Sequence, residues 1–162
     1  MGRVEVIETD LEFKSLSTRG ETDFVVVHHV GDITRDVSAE EIHGWHLNNG
    51  WAGIGYHYVI RKDGSIERGR PRTAIGSHCY GSNSVSLGIC VVGDFMQEEP
   101  NDAQLDSLKN LLADLMDIYM LEPSRETIVG HYEKCETSCP GDNMKSLLDG
   151  IANDVSNIVL NG

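Results

Sequence analysis

The chain has 162 residues, enough for one domain to bury a proper core without staples, and its apolar and charged fractions are those of a soluble globular protein. Thirteen Lys and Arg against 26 Asp and Glu leave a formal charge of −13, which argues against nonspecific binding to nucleic acid or to anionic membrane. No run approaches transmembrane length and Met1-Gly2-Arg3-Val4-Glu5 opens no signal peptide, so the expectation is cytoplasmic synthesis without membrane insertion.

Taken in order, residues 1–23 start with a short alternation, Val4 and Val6 about Glu5, and then turn polar and irregular. Phe24 to Val30 is a continuous apolar, β-branched run that ends in His28-His29, the pattern of a strand buried on both faces. Ser38-Ala39-Glu40-Glu41 reads as a capping box, followed by Ile42, Trp45 and His46 on one helical face, with Asn48-Asn49-Gly50 as the stop. From Gly53 to Arg70 two alternating runs flank Asp63-Gly64, which predicts a hairpin with a type I′ turn.

Residues 71–84 read as loop, and 86–92 as an apolar strand carrying Cys90. Asn101 with Gln104 three residues on heads a helix whose apolar face is Leu105, Leu108, Leu112, Leu115, Met116 and Tyr119. Thr127-Ile128-Val129 is a short strand leading into Gly130-His131. A last helix is predicted over 142–160, with Met144, Leu147, Leu148, Ile151, Val155, Ile158 and Val159 on one stripe. Strands interleaved with helices plus one hairpin predict a single α/β domain over 1–162, with a mixed central sheet flanked by helices.

Chemistry concentrates in Gly130-His131-Tyr132-Glu133-Lys134-Cys135-Glu136-Thr137-Ser138-Cys139-Pro140-Gly141. Imidazole nitrogen and thiolate sulfur are the ligands that borderline-soft Zn²⁺ prefers, and the spacing is wrong for a zinc finger. Two ligands make no metal site, so a third is required, and the histidines ending the strand at 24–30 are the best source. Three protein ligands would leave one tetrahedral position open to water, the arrangement of a catalytic rather than a structural zinc. Against this stands the plain reading of a hydrogen-bonded strand-end histidine and a cysteine serving as a small core hydrophobe.

The ordered set Val27-His28-His29, Gly44-Trp45-His46, Gly50-Trp51, Gly55-Tyr56-His57, Arg61-Lys62-Asp63-Gly64, Gly76-Ser77-His78, Leu87-Gly88-Ile89 and Gly130-His131 to Cys139-Pro140-Gly141 resembles the zinc-dependent N-acetylmuramoyl-L-alanine amidases. These include the amidase-type phage lysozymes and the peptidoglycan recognition proteins. The match runs from about residue 24 to 145. It implies an amidase-like α/β fold and one Zn²⁺ per chain held by His28, His131 and Cys139. His28 rather than His29 fits the ligand position, and neighbouring strand side chains face opposite ways.

The resemblance further implies Tyr56 and Thr137 as catalytic groups and His78 and Asn83 as substrate-binding groups. Lys134 is out of register with the lysine that some members carry, so the threonine form of the site is implied. Cys139 must then be reduced, because a Cys135–Cys139 disulfide would destroy the metal site. The implied activity is hydrolysis of the amide between N-acetylmuramic acid and L-alanine in peptidoglycan. The chain is expected to be a monomer that acts on the wall after release, as a phage or prophage endolysin. Two other readings are a non-catalytic peptidoglycan-binding module and a Cys–His hydrolase built on Cys79 beside His78 or Cys135 beside His131. The second is weak, because a thiolate needs a base adjacent in space, not in sequence.

Overall fold

The computed structural model describes residues 2–162. Its strands are β1 (Val6–Ile7), β2 (Phe24–His29), β3 (Tyr58–Ile60), β4 (Ile66–Arg68), β5 (Ser86–Val91) and β6 (Ile128–Gly130). Its helices are α1 (Ala39–Asn48), α2 (Asp102–Tyr119), α3 (Asp142–Lys145) and α4 (Leu148–Asn161). The strands form one sheet in the order β1-β4-β3-β5-β2-β6. All neighbours run parallel except the β3–β4 hairpin, so the sheet is mixed, as expected from the sequence.

Alternation along the strands divides the core in two. Val25 and Val27 of β2, Leu87, Ile89 and Val91 of β5, and Tyr58 and Ile60 of β3 share one cluster with the leucines of α2 and the apolar stripe of α4. Leu108, Leu111, Leu112 and Leu115 of α2 are at most 2% exposed, and each such burial contributes about 1.5–3 kcal/mol. On the opposite face Val59 and Cys90 meet Val37, Ala39, Ile42 and Ile54 around α1. That second cluster is smaller, and loops complete the cover.

Helix ends follow the chemistry of their caps. The Asn101 side chain accepts from Gln104 N and the Gln104 side chain returns to Asn101 N, a complete capping box. At α1 only half of the expected box forms. Ser38 Oγ accepts from Glu41 N, while the Glu41 carboxylate is drawn outward to Arg35. Gly50, at φ +88°, takes the left-handed turn after α1.

Two expectations need correction. The hairpin turn is not type I′, because only Gly64 has positive φ (+89°). Gly64 N donates to Arg61 O and Arg61 N to Ser65 O, so a three-residue loop with glycine at its left-handed position joins the strands. Asp63 is recruited instead as an acceptor for Ser65 N and Oγ. The helix over 142–160 is two helices. Leu147 N bonds Met144 O, one residue short of α spacing, and this tight turn offsets α3 from α4 while Met144, Leu148, Ile151 and Val155 all stay buried.

Candidate metal centre and groove

Parallel strands deliver their carboxyl ends to one edge of the sheet, and there the candidate ligands meet. His28 and His29 are the last residues of β2; β6 pairs with β2 and ends at Gly130, which places His131 immediately beyond it. The 131–139 loop folds back on itself, because Tyr132 N donates to Cys139 O at 2.9 Å. This returns Cys139 to the strand end, and His29 N donates to its sulfur at 3.4 Å. Pro140 follows in a cis peptide bond. One donor atom from each of His28, His131 and Cys139 then lies within 4.8 Å of the other two.

His28 and His29 part company as strand alternation demands. His29 turns to the α2 side, where its Nδ1 accepts from Phe95 N at 3.0 Å. His28 turns to the groove side at 1% exposure, with Nδ1 3.7 Å from Cys139 Sγ. Its other nitrogen is held from behind: His28 Nε2 lies 2.9 Å from His78 Nδ1, and His78 Nε2 lies 3.3 Å from Ser86 Oγ. Ser86 Oγ donates to Ser82 O at 2.7 Å, so it receives the proton of His78 Nε2. His78 Nδ1 therefore accepts, His28 Nε2–H donates, and the free lone pair of His28 is on Nδ1, toward Cys139.

This arrangement depends on Gly88. On β5, beside Val26 and on the same face as His28, a Cβ at residue 88 would sit 2.6 Å from His78 Cγ. The glycine lets an imidazole lie flat on the strand. The sequence carried that signal, since glycine inside an apolar strand marks a close approach. The identity of the approaching group was not readable from it.

The remaining predicted residues surround the trio. Tyr56 is not on a strand but in the loop before β3, with its ring centroid 4.9 Å from that of His28. Burial pushes its hydroxyl well above the ordinary tyrosine range, so it stays protonated as a donor. Thr137 is exposed on the groove rim and its Oγ1 accepts from Cys139 N at 3.2 Å. Asn83 braces the groove wall: its Oδ1 accepts from His78 N and Cys79 N, both at 2.9 Å. His78 is 7% exposed, its ring packed behind His28 at the base of the wall. A cleft of about 470 Å³, lined by Trp51, Tyr56, His78, Asn83, His131 and Thr137 among others, adjoins a second depression containing His28 and Cys139.

The electrostatics suit a cation. Burial lowers the basicity of His28 strongly, with His78 and His131 adding to the effect, and burial also lowers that of His131. Both imidazoles are neutral at neutral pH, with lone pairs available. Burial pushes the Cys139 thiol up to about 12, so a metal binding there must displace its proton. Two neutral imidazoles and an ionisable thiol, the first imidazole oriented through its second nitrogen, form a donor set that fits Zn²⁺.

A mixed α/β sheet whose strand ends gather such a set beneath an open groove defines a candidate metallohydrolase. A family model described as N-acetylmuramoyl-L-alanine amidase matches residues 18–142, and the chain belongs to that family. The endolysin of Klebsiella phage KP32 is 37% identical over 133 residues, spanning 78% of this chain and 85% of that protein. The solved structure of the N-acetylmuramoyl-L-alanine amidase LysC from Clostridium intestinale is 36% identical with a TM-score of 0.80, over 86% of this chain and 90% of that one. A Drosophila PGRP-LB mutant in complex with tracheal cytotoxin is 27% identical with a TM-score of 0.78, over 87% and 90% of the two chains.

Proposed function

We propose that His28, His131 and Cys139 hold one zinc ion and that the groove above them cuts the amide between N-acetylmuramic acid and L-alanine in peptidoglycan. The chain is an amidase of the family named above, and its similarity to a phage endolysin supports a wall-lytic role. The observation that carries the reading is the convergence of two imidazoles and a thiol within 4.8 Å, at the foot of a groove walled by Tyr56 and Thr137.

Zinc bound there supplies a Lewis acid that polarises the scissile carbonyl and brings the pKa of a water to about 7. The chain's own groups do the rest. His78 fixes the tautomer of His28, so that Nδ1 presents its lone pair. Tyr56, kept protonated by burial, donates a hydrogen bond to the oxygen that gains charge as the carbonyl is attacked. The Thr137 hydroxyl offers a second donor at the rim, and Asn83 holds the wall against which the muramoyl peptide lies. The acidic surface, at −13, suits diffusion without trapping on anionic polymers. Among the described residues no helix is long and apolar enough to cross a membrane. In this reading one domain, acting as a monomer, reaches the wall after release from the cell interior.

The test is the bond cut. Digestion of purified peptidoglycan should release stem peptides with new L-Ala amino termini and leave the glycan strands intact. The release should vanish with chelator and return with added zinc. New reducing sugar ends, or cuts inside the stem peptides, would refute the assignment. Sedimentation with the wall but no released peptide would replace it with a binding module.

A further inference from the structure

Two cysteines that the metal centre does not use face each other across the groove. Cys79 Sγ lies 3.2 Å from Cys135 Sγ, although the residues are 56 apart in the chain. Each sits on a separate, braced wall. Cys79 N is held by Asn83 Oδ1, and Cys135 N donates to His131 O at 3.0 Å. The other two cysteines are committed elsewhere: Cys90 is fully buried in β5, and the Cys139 sulfur accepts from His29 N. Cys79, His131 and Cys135 also place one donor atom each within 4.8 Å of one another, a second soft trio that shares His131 with the first.

We propose that Cys79 and Cys135 are a redox-active dithiol that closes to a disulfide bridging the two walls of the groove. The oxidant is a low-molecular-weight disulfide, RSSR, of the glutathione class. Cys135 is the half-buried member and Cys79 is 1% exposed, so exposure sets the order of events. The Cys135 thiol loses its proton and its sulfur attacks one sulfur of RSSR. The Cys135–SR bond forms and RS⁻ leaves to take up a proton. Cys79 then loses its proton and attacks Cys135 Sγ; the Cys79–Cys135 bond forms and the second RS⁻ leaves. The protein gives up two protons and two electrons, and one RSSR becomes two RSH. Burial pushes the Cys79 thiol up, in keeping with the resolving role that its enclosure gives it.

The bridge has two consequences. It closes a loop of more than fifty residues, which stabilises the fold against unfolding. It also removes both sulfurs of the second trio, leaving the metal only His28, His131 and Cys139. That second consequence rests on the zinc reading above; formation of the bridge does not. Reducing conditions where the chain is made and oxidising conditions at the wall would open and close it in the right order.

The experiment equilibrates the full, zinc-loaded chain in glutathione buffers that range from fully reduced to fully oxidised, then alkylates free thiols and maps the peptides. The expected product is a single bridge joining the Cys79 and Cys135 peptides, with Cys90 and Cys139 recovered as thiols after denaturation. The oxidised form should melt roughly 5–10 °C higher, a gain absent from both Cys79→Ser and Cys135→Ser. Four free thiols across the range, a lasting glutathione adduct on Cys135, or a bridge to Cys139 would overturn the proposal. Cadmium titration of metal-free protein should give additional thiolate absorption in the reduced state over the oxidised state, and equal absorption would overturn the steering of the metal. A bridge that forms while neither state retains zinc would refute the zinc reading and leave the dithiol standing.

Discussion

The two faces of the sheet are built from alternate residues of the same strands, yet they do different work. Toward α2 and α4 the strands present Val25, Val27, Leu87, Ile89 and Val91, and the partners are leucines and methionines packed by shape alone. Toward the groove the same strands present Val26, His28, Gly88 and Cys90, and the single helix α1 with loops around it takes the place of the pair α2 and α4. Loops bring donors and acceptors that a helix keeps to itself, and four of the seven histidines show it. His43, His46 and His57 each accept a backbone N–H from a neighbouring segment through Nδ1, and His78 hydrogen-bonds His28. A helix-backed face yields stability; a loop-backed face yields oriented polar groups.

The largest effects are expected from the pair of histidines at the end of β2. His28→Ala should abolish zinc binding and hydrolysis while the protein remains folded, as metal analysis and circular dichroism would record. His29→Ala should keep the metal and lower the melting temperature, because it leaves Phe95 N without its acceptor. The reverse outcome would mean that the wrong face carries the site.

Next in size, Tyr56→Phe should keep zinc and fold and reduce kcat by roughly 10²–10³, the usual effect of deleting one transition-state donor. Near-normal turnover would return Tyr56 to a packing role. His78→Ala should weaken zinc affinity by about 10–100-fold, the range for a group that orients a ligand from behind, and competition with a calibrated chelator would measure it. If affinity stays put and only KM rises, His78 belongs to the substrate and not to the metal.

The smallest expected effect is on acid stability. Burial holds His57 down to about 3, with the Ala74 carbonyl opposing, and burial holds His46 down to about 4. Both are neutral in the folded chain at pH 5, whereas the unfolded chain protonates them near 6.5. Their contribution is complete above pH 6.5 and is lost as pH falls toward 3–4. Between pH 7 and 5, His57 alone should cost up to about 2 kcal/mol. Urea midpoints that do not fall over that interval would show that the buried histidines carry no acid sensitivity.

Much of the fold was legible because local chemistry and tertiary structure agree. The β-branched run before His28, the box at Asn101 and Gln104, and the leucine stripe of α2 each specify their element without outside help. Asp63-Gly64 announced a hairpin, but the loop length chose the turn, and that depends on how β3 and β4 register. The stripe from Met144 to Val159 named the buried face correctly and concealed the break at 146–147, since periodicity survives a single tight turn.

The site divides along the same line. Residue types and order in the sequence determined which groups were available: two adjacent histidines ending a buried strand, a histidine and a cysteine eight residues apart, and a glycine inside an apolar strand. Which nitrogen of His28 is free, that His78 stands behind it over Gly88, and that Cys79 meets Cys135 follow from the folded arrangement alone. The reason is physical. Ligand type is a property of a side chain and survives in one dimension, whereas a tautomer or a sulfur–sulfur approach is set by parallel strands and loops that pair residues 50 or more positions apart.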